Sequence, residues 1–276
     1  MCQLLWISES GYYRWRHYKA REDKYSVLLS KILKIRAKNP DYGSRRVFLE
    51  LKLKHQYTGC YGTIRAIYRK NNLTLRLKHK QPNGITKSDK NAEVNENLIK
   101  QNFSASSPNT KWLSDITEIK LSKEKLYLCA ILDCFDGAIV GFHIDTNMKR
   151  ELCITSFQKA IEGYGGDKII FHSDRGSQYT SNDFRKELAM KAVIQSMSKA
   201  GNCYDNARME SFFATLKKEL IYKYKPQNLS VEAAKSLVFR YIEFYYNRER
   251  IYSTNGGYPP LVKRELFYAN TLHKAA

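Results

Sequence analysis

None of the six cysteines (Cys2, Cys60, Cys129, Cys134, Cys153, Cys203) belongs to a CxxC pair, and no histidine pair stands near them at zinc-ligand spacing. A structural zinc site is thereby excluded, and the thiols read as free, mostly buried groups in a reducing compartment. No apolar run reaches the roughly 18 residues that a membrane helix needs. No signal-peptide pattern opens the chain, and no amphipathic basic helix or lipid-anchor motif stands out, so a soluble, cytoplasmic protein with no membrane partner is expected. Acidic residues are scarce as well: 27 Asp and Glu face 47 Lys and Arg, a formal net charge of +20. That balance disfavours a neutral small molecule as the principal partner and favours a polyanion, with nucleic acid the leading candidate.

What is present suits a folded protein. The 276 residues suffice for one large domain or two modest ones, and a hydrophobic content of 43% fills a real core. The positive excess is uneven: residues 1–100 carry 22 Lys and Arg against 8 Asp and Glu, and the remainder 25 against 19. In that basic first third, Leu28, Ile32 and Ile35 fall at helical spacing within 24–38, and the helix should stop before Asn39-Pro40, because the residue before proline is pushed out of the α region. A second helix over 44–54 has Val47, Leu49 and Leu51 for burial, and a third spans about 63–70. Three short helices joined by turns, rich in basic residues, predict a helix-turn-helix type DNA-binding region over 1–80.

Residues 79–110 are polar and carry Pro-Asn-Gly, Ser-Asp and Ser-Ser-Pro-Asn turn signals, which predicts a linker over 81–108 with room for one short helix. Beyond it the apolar periodicity predicts strands at 112–120, 126–134 and 138–145, a helix at 150–163, a strand at 168–172, a helix at 181–191, a strand at 193–197, and helices at 204–220 and 230–247. Three adjacent strands suggest an antiparallel meander, and strands alternating with helices suggest parallel additions. The expected fold class is α/β: a mixed five-stranded sheet flanked by helices over 109–268, with a C-terminal helical extension and a tail at 269–276.

Three carboxylates stand out in that layout. Asp115 interrupts the apolar run Leu113, Ile116, Ile119; Asp174 follows an apolar strand; Glu210 sits on an amphipathic helix. Acids at strand ends of an α/β domain occupy the edge where such folds bind ligands. Mg²⁺ takes oxygen ligands and keeps some of its waters, so one or two carboxylates per ion plus phosphate oxygens complete a site. Two ions about 3.5 to 4 Å apart activate a nucleophile and stabilise the leaving oxygen of a phosphodiester. Lys217 lies seven residues beyond Glu210, nearly two helical turns, and so shares its face.

The segments WLSDITEI, HSDRGSQYTS, SMSKAGNCYDNARMESFFATLKKEL and YIEFYYNRERIYS, in that order, closely resemble the OrfB transposases of bacterial insertion sequences of the IS3 type. SGYYRWR and YGSRRV resemble the family's helix-turn-helix region, so the resemblance covers nearly the whole chain. It implies a ribonuclease H-like DDE catalytic domain related to retroviral integrases. Asp115, Asp174 and Glu210 match the family's metal-binding acids, and Lys217 its DNA-contacting lysine. Two Mg²⁺ or Mn²⁺ ions as cofactors, action on element ends and target DNA, a DNA-bound homo-oligomer and an upstream-frame partner protein are implied too. Arg45 and Arg46 are expected phosphate contacts. The match loosens after the Tyr-Asn-Arg segment: where the family has His-Ser and Gly-Tyr pairs, this chain has Tyr252-Ser253 and Gly256-Gly257-Tyr258.

Neighbouring residues read more plainly. His172 shares the strand face of Asp174 and is expected to pack or to support it from behind; Asp133 suits a local structural role; Gly176 suits a turn; and Tyr241, Tyr245 and Tyr246 suit the core. A DNA-binding protein without catalysis and a nuclease that only hydrolyses share parts of this pattern. Labelled DNA ends with Mg²⁺ separate the three by yielding no product, nicks, or joined strands.

Overall fold

The computed structural model describes residues 6–20, 25–74, 95–166, 168–199, 203–224 and 228–275. Most of the expected linker, through residue 94, lies outside them, as does the expected first residue of the helix at 24. The chain divides into two compact units, Met1–Lys78 and His79–Ala276.

The first unit is all-helical: α1 (Glu9–Ala20), α2 (Ser26–Lys38), α3 (Ser44–Lys54) and α4 (Tyr61–Lys70). Helix α2 stops at Asn39, ahead of Pro40, as the proline requires. Ile32, Ile35, Tyr42, Val47, Leu51, Ile64, Ile67 and Tyr68 are buried, each large apolar side chain contributing about 1.5 to 3 kcal/mol. On α3 the buried stripe is Val47, Glu50 and Leu51, at i, i+3 and i+4, so Leu49 is only half-buried. The Tyr68 hydroxyl donates to the Tyr42 carbonyl at 3.1 Å and fixes the turn before α3 against α4. Helix α1 leaves Tyr13 and Trp15 exposed.

The second unit is a five-stranded sheet in the order β3-β2-β1-β4-β5, formed by β1 (Lys111–Lys120), β2 (Lys125–Asp133), β3 (Ile139–Asp145), β4 (Ile170–Ser173) and β5 (Ile194–Met197). The β1–β2 and β2–β3 pairs are antiparallel; β1–β4 and β4–β5 are parallel. The meander followed by parallel additions is therefore as the periodicity predicts. One face buries Trp112, Ile116, Ile131 and Phe171 under α5 (Arg150–Tyr164) and α7 (Asn182–Met190). Gly141 of β3 lets α5 come close, since a Cβ there would stand 2.4 Å from the Ser156 carbonyl oxygen. A single turn, α6 (Ser177–Thr180), precedes α7, whose N-cap Ser181 accepts from the Phe184 amide at 3.3 Å.

The other face buries Leu113, Ile119, Leu128 and Leu132 under α8 (Ala207–Leu216) and α10 (Val231–Arg240). Both expected long helices change pitch. A 3₁₀ turn at Cys203–Asn206 leads into α8, which passes into a π-helical segment Lys217–Ile221 and then α9 (Tyr222–Tyr224); α10 passes into a second π segment, Tyr241–Tyr246. The two π segments lock together. Glu219 on the first is buried and accepts from Tyr241 Oη at 2.8 Å and from Arg250 Nε and Nη2 at 2.8 and 2.9 Å. Tyr241 and Tyr246 belong to this core, with Tyr245 packed against it.

Two departures from the expected boundaries have clear causes. Residues 95–108 are not a free linker. Ile99 is buried, Asn95 donates to Gln195, Leu98 N to Ser196 Oγ, and Asn97 and Gln101 to Asp205, so the polar composition serves to strap this segment to the sheet edge. At the other end, α11 (Pro260–Ala275) opens on a proline in the first helical turn and runs through the expected tail. Its Arg264 is buried and pairs with Asp133 at 2.6 Å and Asp136 at 2.7 Å, pinning the helix beneath the β2–β3 turn. Asp133 also accepts from the Asn109 and Phe135 amides, so its role is structural. Among the described residues no helix is long and apolar enough to cross a membrane.

Candidate active site

Strands β1 and β4 run parallel with Leu113 opposite His172. Two residues further along stand Asp115, which lies within β1 and not at a strand end as expected, and Asp174, just past the end of β4, so the register brings the two acids to neighbouring positions. Asp115 Oδ1 accepts from the Ile116 amide at 2.8 Å, and Asp174 Oδ1 from the Gly176 amide at 3.0 Å, a local turn that makes Gly176 part of the acid's mounting.

Glu210 comes from the opposite layer. Helix α8 buries Met209, Phe212, Phe213 and Leu216 against the sheet, leaving Glu210 exposed one position from that seam. Its place is set by residues that sequence reasoning passed over. Asn206, buried at the helix start, donates its side-chain amide to the Ser114 carbonyl at 3.0 Å, bolting α8 to the residue before Asp115. Asp205 gathers the Asn97 and Gln101 side chains and the Lys199 amide. Arg208 donates to the Phe103 and Cys134 carbonyls. The signal available was the Asp-Asn pair just ahead of an apolar-periodic run, the signature of a helix start.

The electrostatics join the three acids. Burial, then Asp174, and more weakly Cys129 and Glu210, hold the Asp115 carboxyl well above the usual carboxylate range, the Ile116 amide opposing them. Glu210 is shifted up by burial. Lys217 is half-buried, which lowers its pKa, while Asp115 and Glu118 act on it in the opposite sense, so its ammonium lies on the Asp115 side of the helix. Among the described residues no three His, Cys, Asp or Glu side chains are drawn tightly enough together to hold an ion as they stand. The donor set nonetheless fits a hard divalent cation: all carboxylate oxygens, one within β1, one just past the end of β4 and one on an exposed side chain of α8. A cation there would also relieve the mutual repulsion that loads Asp115.

His172 is fully buried between Ser196 Oγ, 2.9 Å from Nδ1, and Ser198 Oγ, 3.1 Å from Nε2, and burial lowers its pKa to about 4. It is a neutral strut behind Asp174. The other two predicted DNA contacts, Arg45 and Arg46, lie in the helical unit, on α3, over the rings of Tyr61 and Tyr42 at 5.9 and 5.6 Å. Cys129, Cys134 and Cys153 are buried free thiols, and Cys60 an exposed one.

The integrase core domain family matches residues 105–203, and a second description of the same domain matches 210–271. The chain is 35% identical over 274 residues to the "Insertion element IS600 uncharacterized 31 kDa protein" of Shigella sonnei, covering 97% of this chain and 98% of the relative. It is 33% identical over 269 residues to "Transposase InsF for insertion sequence IS3A" of Escherichia coli K12, covering 94% and 91%. The chain belongs to the IS3-type insertion-sequence transposases. It is a DNA transposase of an insertion element, and both acid-bearing strands lie within its matched integrase core. Among solved structures, the magnesium complex of the HTLV-2 integrase catalytic core aligns at 21% identity and a TM-score of 0.46, over 56% of this chain and 96% of that one.

Proposed function

We propose that Asp115, Asp174 and Glu210 hold two divalent ions, Mg²⁺ or Mn²⁺, and that at this one site the transposase first nicks the element end and then joins the exposed 3′-hydroxyl to a second phosphodiester. When bound at these carboxylates, such ions would supply Lewis-acid activation of water or hydroxyl and charge stabilisation of the leaving oxygen. Asp115 is held within β1 and Asp174 by the turn that follows β4, which keeps two carboxylates in one place. Glu210, exposed on α8, swings in to complete the set. Lys217 reaches the phosphates beside Asp115, and Arg45 and Arg46 contact the backbone of the element end from the helix-turn-helix type unit, contributing register rather than sequence readout. Since no covalent protein intermediate is needed, no nucleophilic side chain is invoked. The active form is a homo-oligomer holding two ends, assisted by an upstream-frame partner, in the bacterial cytoplasm at the nucleoid.

The observation that carries this is the placement of the acids: the pairing of Leu113 with His172 brings Asp115 and Asp174, two residues further on, to neighbouring positions, and Asn206 at the start of α8 donates to the Ser114 carbonyl, which holds the helix of Glu210 against the same strand. Labelled duplexes bearing the element's ends test it. Asp174→Asn should bind ends as the unsubstituted protein does and yield no Mg²⁺-dependent joined product. Joining retained in that variant would reject the assignment.

A further inference from the structure

Next to Asp174 stands a cation whose position is unusually well determined. Arg175 Nε donates to the Ser198 carbonyl at 2.8 Å. That carbonyl is itself fixed from two sides. The Ser198 amide donates to the Ser173 carbonyl at 2.9 Å, extending the β4–β5 ladder by one rung, and the Ser198 hydroxyl meets His172 Nε2 at 3.1 Å. His172 is anchored in turn by Ser196. The chain from Ser196 through His172 and Ser198 to Arg175 thus runs from the buried sheet to a half-exposed guanidinium. Only Nε is used; among the described residues no acid pairs with Arg175, and its two terminal nitrogens have no protein partner.

Along the rim of the sheet the order is Asp115 on β1, Asp174 after β4, then Arg175 across the end of β5. A guanidinium held by one nitrogen presents the other two as a planar fork, which matches two phosphate oxygens. Fixing the fork beforehand also reduces the side-chain entropy lost when a ligand binds.

We propose that Arg175 is a further substrate contact of the transposase: its terminal nitrogens grip a phosphate of the DNA strand being processed, adjacent to the phosphodiester at Asp115 and Asp174, and the buried His172–Ser198 pair exists to aim it. This rests on the assignment of the acidic trio as the reacting centre. It also gives the buried histidine two residues before Asp174, held between Ser196 and Ser198, a purpose that metal binding does not.

The test uses the full chain, labelled duplexes cut from DNA flanking the gene, and two variants. Arg175→Gln keeps a side-chain amide able to reach toward Ser198 but loses charge and fork; Arg175→Lys keeps charge alone. End binding is measured against salt without divalent metal, joining with Mg²⁺ at saturating DNA, and Mn²⁺ affinity of the DNA-free protein by electron paramagnetic resonance. For Arg175→Gln the slope of log affinity against log salt should shrink by about one phosphate contact. Joining should fall about 10- to 100-fold, the worth of a hydrogen bond to a charged group, with Mn²⁺ affinity unchanged. Arg175→Lys should keep the salt slope and still lose joining. An unchanged salt slope in Arg175→Gln, full joining by Arg175→Lys, or loss of Mn²⁺ affinity in either would overturn the proposal. Failure of the acidic trio appears separately, as joining retained by Asp174→Asn.

Discussion

Two groups of acids lie on the same sheet, one around the end of β2 and one around β1 and the end of β4, and are treated in opposite ways. Asp133, at the end of β2, and Asp136, in the turn after it, are fully buried, and α11 sends Arg264 to both at 2.6 and 2.7 Å. Asp115, in the middle of β1, is partly exposed, and after burial the ionisable groups that raise its pKa are Asp174 foremost, then Cys129 and Glu210. Lys217 feels it without forming an ion pair. One group is neutralised from within and ties a helix to the sheet. The other accumulates like charge at the rim, where a cation from solution can enter, a cost to stability of the kind that functional sites carry.

The sharpest way to break this contrast is to neutralise one acid in each group. Asp115→Asn should lower DNA joining by at least about 10³-fold, yet the metal-free protein at pH 8 should be as stable as the unsubstituted chain or more so, because burial of a charge and repulsion by Asp174 are both relieved. Thermal melting with and without Mn²⁺ checks the second half: added Mn²⁺ should raise the midpoint of the unsubstituted protein and leave that of the variant unmoved.

Arg264→Met should have the opposite character. Leaving two buried carboxylates without their cation should cost about 3 to 5 kcal/mol in urea denaturation, while Mn²⁺ affinity at the rim is retained in the folded protein. A parallel loss of both would mean that the two acid groups are not independent.

A smaller effect follows from pH. Burial and Asp136 raise the Asp133 carboxyl to about 6, Arg264 opposing them. The folded protein therefore binds this proton more tightly than the unfolded chain, so the stability it contributes is complete below the ordinary carboxylate pKa of about 4 and is lost as pH rises through about 6, at most about 2 to 3 kcal/mol. Asp133→Asn lacks that proton, and its stability relative to the unsubstituted protein should improve between pH 4 and pH 7. The smallest effect concerns Lys217→Ala, which should weaken end binding evenly across sequences and reduce the salt slope by about one.

Much of this was legible in the amino-acid sequence, and the exceptions have physical reasons. All five strands are found near their expected places because apolar runs such as KLYLCAILD are buried on both faces or alternate cleanly. The acids were visible because a charge interrupting such a run has to be explained. Helix α1 was not anticipated as an element, since GYYRWRH has aromatic and basic residues in succession and no apolar stripe. The π segments were read as continuous helix, because one extra residue per turn leaves composition unchanged, and the Glu219–Arg250 pair that accompanies them joins positions with no local pattern. Residues 95–108 looked like linker because their buried contacts are hydrogen bonds from Asn and Gln, residue types that loops also favour. Arg175 escaped for a similar reason: beside Asp174 it reads as one more basic residue in a basic chain, until its bond to Ser198 is seen.

The central claim is that the rim acids converge on metal. Crystals of the protein grown or soaked with Mn²⁺ and measured at the manganese absorption edge test it most directly. Two anomalous peaks about 3.5 to 4 Å apart, bounded by the carboxylates of Asp115, Asp174 and Glu210, are the predicted result. Manganese bound elsewhere, or no peak beside Asp115 and Asp174 at saturating metal, would contradict the account.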